Sequence, residues 1–169
     1  MKVLNIHQRT IPLPAARVGT LIDSLASAND LLWPHESWPR MKFDRPLKID
    51  AIGGHGPIRY TIVAYTPGSH IRFQFTGPRG FDGYHEFRVT LSDSGCVLRH
   101  TLEMTTRGTA LLTWPLVYRP LHDALIEDSL AKAQKSLGLR PEIRRWSMRV
   151  KLLRAVLSLG NSKPQNLAF

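Results

Sequence analysis

The sequence predicts an α+β fold in which one curved antiparallel β-sheet closes on a long helix near the C-terminal end. Three observations carry this reading. Apolar residues recur at every second position between Leu47 and Met104, the mark of strands that bury one face. Before and after that stretch they recur every third or fourth position, the mark of helices packed on one side. Turn signals rich in Gly and Pro cut the period-two region into short, successive segments, as an antiparallel meander requires. With 169 residues and 43% apolar content, the chain suits one domain with a real core and a short extension.

Residues 2–11 read as a first strand, closed by Pro12 and Pro14. Residues 15–27, AARVGTLIDSLAS, place Val18, Leu21, Ile22 and Leu25 at helical spacing. Residues 28–46 combine three prolines with two Trp-Pro pairs and predict a long loop, with at most a turn of helix near Leu31.

The meander begins with Leu47, Ile49 and Ala51 and turns at GGHGP. Ile58, Tyr60 and Ile62 follow, then the turn TPGS at 66–69, then Ile71, Phe73 and Phe75. After GPRGFDG come His85, Phe87, Val89 and Leu91, a tight turn at Asp93-Ser94, and Leu98, His100, Leu102 and Met104. That turn sets Leu91 near Cys96 and Phe87 near His100, so His85 and His100 share one concave face, a diagonal step apart. From 114 to 138 the helical period returns, with Leu121, Leu125, Ile126, Ala133 and Leu137 on one stripe and Gly138 as the stop.

At this point the order of elements resembles the helix-grip fold of the START, polyketide-cyclase and birch-allergen (SRPBCC) superfamily over residues 2–138. GYHEFRVTLSDSGCVLRHTLEMTTRG, residues 83–108, is similar to the paired strands G-x-H-x-F and G-x-x-L-x-H of bacterial members. The resemblance implies a cavity between sheet and last helix that takes lipids, sterols or aromatic polyketides, in proteins of which only some are enzymes. No catalytic motif transfers with it. On this reading the cavity is lined by Tyr60, Phe73, Phe75, His85, Phe87, Leu98, His100 and Met104, with Trp33-Pro34 and Trp38-Pro39 in the loop near its open end.

Three roles stand open for the two histidines: core residues satisfied by backbone or water, hydrogen-bonding groups for a ligand, or an acid–base pair. The two tryptophans serve either as a lid or as packing against the sheet. The seven histidines show no two-apart or four-apart pair and Cys96 has no second thiol, so no metal and no cofactor are expected. IGGHGPIRY joins two strands rather than a strand and a helix, which argues for a hairpin and against a phosphate cradle.

The formal charge of +10 is uneven. Residues 138–169 hold Arg140, Arg144, Arg145, Arg149, Lys151, Arg154 and Lys163 against Glu142 alone. The body is therefore only mildly basic, has no basic run interleaved with aromatics, and is not expected to bind nucleic acid sequence-specifically. The domain is assigned to residues 1–139 and a basic amphipathic extension to 140–169. In EIRRWSMRVKLLRAVLSLG, Ile143, Trp146, Val150, Leu153 and Leu157 recur at helical spacing among arginines. Residues 142–157 then either pack on the domain, meet an anionic membrane, or contact a protein partner or a second copy of the chain.

The single cysteine excludes an internal disulfide. The N-terminal stretch lacks a signal-peptide core, and ALLTWPLV (110–117) falls short of the roughly 20 residues a membrane span needs. A cytoplasmic setting is expected. The functional expectation is binding of a small, mostly hydrophobic ligand, lipid or polyketide-like. The alternatives are a cyclase or dehydratase acting on a polyketide-like substrate, and an interaction protein acting through its tail.

Overall fold

In the computed structural model, which describes residues 1–160 and their side chains through Leu157, strand β1 (Lys2–Ile11) leads into helix α1 (Ala15–Asp23). Two short strands, β2 (Lys42–Phe43) and β3 (Ile52–His55), precede four longer ones: β4 (Ile58–Thr66), β5 (His70–Gly77), β6 (Phe81–Ser92) and β7 (Gly95–Thr106). A turn of helix α2 (Ala110–Thr113) and a π-helical turn (Trp114–Tyr118) run directly into α3 (Arg119–Ser136), and α4 (Met148–Gly160) follows a connector. The seven strands form one antiparallel sheet in the order β1-β7-β6-β5-β4-β3-β2, so the first strand closes onto the last. This is the predicted helix-grip architecture.

The β6–β7 hairpin has the predicted register: Leu91 faces Cys96, Val89 faces Leu98 and Phe87 faces His100. Phe87, Val89, Leu98 and Leu102 are buried on its inner face. Leu91, although in phase, is 82% exposed, because the hairpin runs past the core at its turn end. Glu86, on the opposite face, is buried in an ion cluster in which its Oε2 accepts from Arg72 Nε at 2.7 Å and contacts His70 Nε2 at 2.8 Å.

Two expectations are corrected. Leu47–Ala51 alternates but forms no strand; Phe43 and Ile52–His55 take the sheet edge instead. Phe43 stacks on Phe73, with ring centroids 5.9 Å apart, and glycines let the neighbouring backbones close in: a Cβ on Gly53 would lie 2.3 Å from the Lys42 carbonyl oxygen. The stretch around Leu31 is the expected loop, with no turn of helix in it. Asp30 organises the loop as a side-chain turn, accepting from the amides of Ala26, Leu32 and Trp33. On α3, Leu125, Ile126, Leu130 and Ala133 are buried, whereas Leu121 and Leu137 are only half-buried.

Helix α3 also anchors the loop. Ser129 Oγ donates to the Leu32 carbonyl, Lys132 Nζ to the Trp33 carbonyl and Ser136 Oγ to the Leu31 carbonyl. Residues 140–160 lie against the body. Gln134 and Glu142 exchange two hydrogen bonds, Trp146 Nε1 donates to Asp128, and Val150 is buried. Among the described residues no helix is long and apolar enough to cross a membrane.

Candidate functional site

A cavity of about 290 Å³ lies between the concave face of the sheet and α3. Strand phase brings in Phe75, His85, His100 and Leu102; the loop supplies Trp33 and Trp38; the end of β3 supplies His55. The π-helical turn adds Trp114 and Tyr118, α3 adds His122 and Leu125, and α4 adds Arg154 and Leu157. The wall is mostly aromatic and aliphatic, with four imidazoles set into it.

These imidazoles are crowded. His85 stacks between Phe73 and Phe75, at 4.7 and 5.2 Å, and meets Tyr60 edge-on at 5.0 Å. His100 packs edge-on to Phe87 at 4.7 Å and lies 5.1 Å from the His122 ring. His55 sits 4.7 Å from Trp33 and places Nδ1 3.1 Å from the Tyr60 hydroxyl. Burial disfavours charge on all four, and the neighbouring imidazoles add to the effect. The pKa values of His85 and His100 fall well below the ordinary histidine value, that of His122 falls despite adjacent Asp123, and that of His55 falls to about 3.

Neutrality has a geometric consequence. His85 Nδ1 lies 3.3 Å from His100 Nε2. One of these nitrogens carries the proton and the other accepts it, so the two remaining nitrogens, His85 Nε2 and His100 Nδ1, are one acceptor and one donor in either tautomer arrangement. Both are buried and have no hydrogen-bond partner among the described residues. The pair therefore holds one unused donor and one unused acceptor in the cavity wall.

Behind His122, strand β1 and α3 are joined by a row of polar contacts. Asn5 Nδ2 donates to Asp123 at 2.9 Å, His7 bridges Glu127 at 2.7 Å and Asp123 at 3.3 Å, and Arg9 pairs with Glu127. Burial opposes charge on His7, but its hydrogen bonds to Asp123 and Glu127 outweigh that and raise its pKa. Burial likewise opposes charge on the two carboxylates, and the adjoining His, Arg and Asn donors nonetheless hold both below their ordinary values.

At the mouth, the Arg154 guanidinium stacks on Trp38 at 4.3 Å and on Trp146 at 3.9 Å, while both indole nitrogens donate to Asp128 Oδ2. An arginine between two fixed indoles closes this side of the cavity.

Of the residues proposed from sequence, Trp33, Trp38, Phe75, His85 and His100 stand on the cavity wall. Tyr60, Phe73, Phe87, Leu98 and Met104 are buried in the packed layer behind it. Both tryptophans are packed as well as wall-forming. Sequence reasoning missed His55, His122, Trp114, Tyr118 and Arg154. His122 had a usable signal, lying three positions before Leu125 and next to Leu121 on the stripe; His55 had none, since its loop reads only as a hairpin. Nor did histidine spacing reveal that His7, His122 and Asp123 come together, because β1 and α3 meet only in the folded chain.

No protein-family model matches the sequence, and no curated protein matches it. Solved structures do match the fold. A point mutant of norcoclaurine synthase from Thalictrum flavum, in complex with a transition-state analogue, is 14% identical with a TM-score of 0.59, over 82% of this chain and 96% of that one. CalU16 from Micromonospora echinospora is 14% identical with a TM-score of 0.55, over 94% and 84%. The di-domain ARO/CYC StfQ from the steffimycin biosynthetic pathway is 15% identical with a TM-score of 0.57, over 82% of this chain and 52% of that one. At such identities the shared property is the fold.

Proposed function

We propose that the protein binds a compact, largely apolar molecule bearing a hydroxyl or carbonyl group, enclosed between the sheet and α3. The His85–His100 pair carries this reading: a neutral donor and a neutral acceptor, both unused by the protein, are set in an aromatic wall. A cavity of about 290 Å³ is at the small end of ligand sites and favours a ring system over a long-chain lipid. The named synthase and ARO/CYC structures support a pocket of this type only through shared fold.

The same pair favours one alternative, a cyclase or dehydratase. An acceptor at one end and a donor at the other suit taking a proton from one substrate atom and returning one to another, with the tautomers exchanging. A binder keeps its ligand unchanged; an enzyme consumes it.

The test is native mass spectrometry of the purified protein, to reveal co-purified small molecules, followed by titration with 2-naphthol and with naphthalene. The expected result is at least about tenfold tighter binding of the naphthol, a difference lost when both histidines are replaced by leucine. Equal affinity for the two probes, or no binding of either together with no co-purified molecule, overturns the reading.

A further inference from the structure

The contact between β1 and α3 offers more than a polar seam. His7 Nε2 lies 3.3 Å from Asp123 Oδ1, His122 Nδ1 lies 3.6 Å from the same oxygen, and each of the three residues brings one ligand atom within 4.8 Å of the other two. Zinc-type ions bind nitrogen and oxygen at about 2.0–2.2 Å, which in a tetrahedron puts ligand atoms about 3.3–3.6 Å apart. Two of the three separations are already close to that edge. We propose that His7, His122 and Asp123 form a three-ligand site for a divalent transition metal of the zinc type.

The surroundings support the assignment independently of the spacing. Glu127 Oε1 lies 2.7 Å from His7 Nδ1 and leaves Nε2 as the ligating nitrogen, the usual outer carboxylate of a metal-bound histidine. Asn5 orients Asp123 through its amide. Both ring nitrogens of His122 are buried and make no hydrogen bond among the described residues. Arg9 and Arg144 pair with Glu127, while Asp123 meets Arg119 Nε at 3.9 Å through Oδ2 and turns Oδ1 toward both histidines. An open hollow lined by His7, Asp123 and Glu127 gives an ion a way in, and His122 reaches the ligand cavity on the other side. Three protein ligands leave a position open, as in catalytic rather than structural zinc sites.

The test is titration of chelator-treated full-length protein with Co²⁺, read by its visible absorption, and with Zn²⁺ in competition with a chromophoric chelator. A single equivalent is expected to bind with tetrahedral absorption. His122→Ala removes no hydrogen bond, and should lower affinity at least tenfold; Glu127→Gln should lower it about 10- to 100-fold. His35→Ala, outside the cluster, should bind as the wild type does. X-ray absorption of the zinc-loaded wild type should show two imidazoles on the metal, a readout that needs no variant. Absence of stoichiometric binding by the folded wild type, unchanged affinity in His122→Ala, or a metal shell without imidazoles overturns the site. The naphthol titration on metal-free protein tests the ligand reading separately.

A different observation concerns α4, whose inner face, with Val150 and Arg154, packs on the body beside Trp146 of the preceding connector. Its outer face is also apolar: Met148, Leu152 and Val156 are 78%, 66% and 59% exposed. Arg149 and Lys151 flank this stripe, and no acidic residue occurs from 143 to 160. A helix facing water carries a polar outer side, whereas an apolar stripe between cations suits the surface of an anionic bilayer. We infer that α4 docks there, beside the cavity mouth that Arg154 and Leu157 help form. The full chain should sediment with phosphatidylcholine vesicles containing phosphatidylglycerol and not with phosphatidylcholine alone. Leu152→Glu, an exposed substitution, should reduce binding at least about tenfold, and high salt should weaken it. No sedimentation with anionic vesicles, undiminished binding of Leu152→Glu, or a homodimer that Leu152→Glu dissociates without any vesicle binding overturns the inference.

Discussion

Nδ1 of His85 lies 3.3 Å from Nε2 of His100, on the diagonal of the β6–β7 hairpin, and each ring is the other's only hydrogen-bond partner among the described residues. Removing one ring leaves the other with a buried nitrogen and no partner. His85→Leu or His100→Leu should each cost about 1–3 kcal/mol, the scale of an unsatisfied buried polar group. The double variant should cost less than the sum by about 1 kcal/mol, since no partner is left behind. Urea unfolding of the three variants gives the answer; strict additivity means the two rings do not interact.

Acid should weaken the fold earlier than the carboxylates alone require. His55, His85 and His100 have folded pKa values below the unfolded value of about 6.5. The unfolded chain therefore binds more protons than the folded one below that pH, so their contribution is complete above about 6.5 and is lost as pH falls, by up to about 1.4 kcal/mol per unit for each group. His7, with a raised pKa, works the other way: its contribution is present below about 6.5 and fades as pH rises through its folded value. His122, Arg59 and Tyr60 face the same cluster. Chemical melts of metal-free protein at about pH 7.5 and about pH 5.5 should show the loss, and the double leucine variant should show a shallower one. An unchanged slope removes His85 and His100 as its source.

Arg154 should control the mouth more than the core. Arg154→Met keeps the apolar stem of the side chain but loses the cationic contact with Trp38 and Trp146, worth about 0.5–2 kcal/mol. Dissociation of bound 2-naphthol should quicken by about two- to thirtyfold on that scale. Stopped-flow release measures it; a rate equal to wild type means that the ligand leaves elsewhere.

The β3 edge should be intolerant of any side chain at its glycines. A Cβ on Gly54 would lie 2.1 Å from the Ile58 carbonyl oxygen, and one on Gly53 2.3 Å from that of Lys42, both backbone atoms that cannot swing away. Gly53→Ala and Gly54→Ala should each cost more than about 2 kcal/mol and displace His55. Gly68→Ala meets nothing within 4 Å and carries only the penalty of its positive φ, about 1–2 kcal/mol. Thermal melts that rank Gly68→Ala as the worst of the three contradict this account of the edge.

The sequence by itself determined the elements whose cause is local. A two-residue turn at Asp93-Ser94 with alternation on both sides specifies the β6–β7 register, and with it the inward placement of His85 and His100. Helical periodicity likewise announced α3 and, from Met148 on, α4; Ile143 and Trp146, read onto the same stripe, lie in the connector before it. Alternation misled at Leu47–Ala51, where pairing depends on a partner strand that only Phe43 and the close-packing glycines supply. Strand phase says which face a residue takes but not how deep it lies, so it could not separate Phe75, on the cavity wall, from Phe73 and Tyr60 in the layer behind. That distinction is set by how far α3, the Trp33–Trp38 loop and α4 stop short of filling the sheet's concavity. The meeting of His7 with His122 and Asp123 is likewise tertiary: the residues are separated by more than a hundred positions, and only the packing of α3 against β1 turns scattered titratable groups into one cluster.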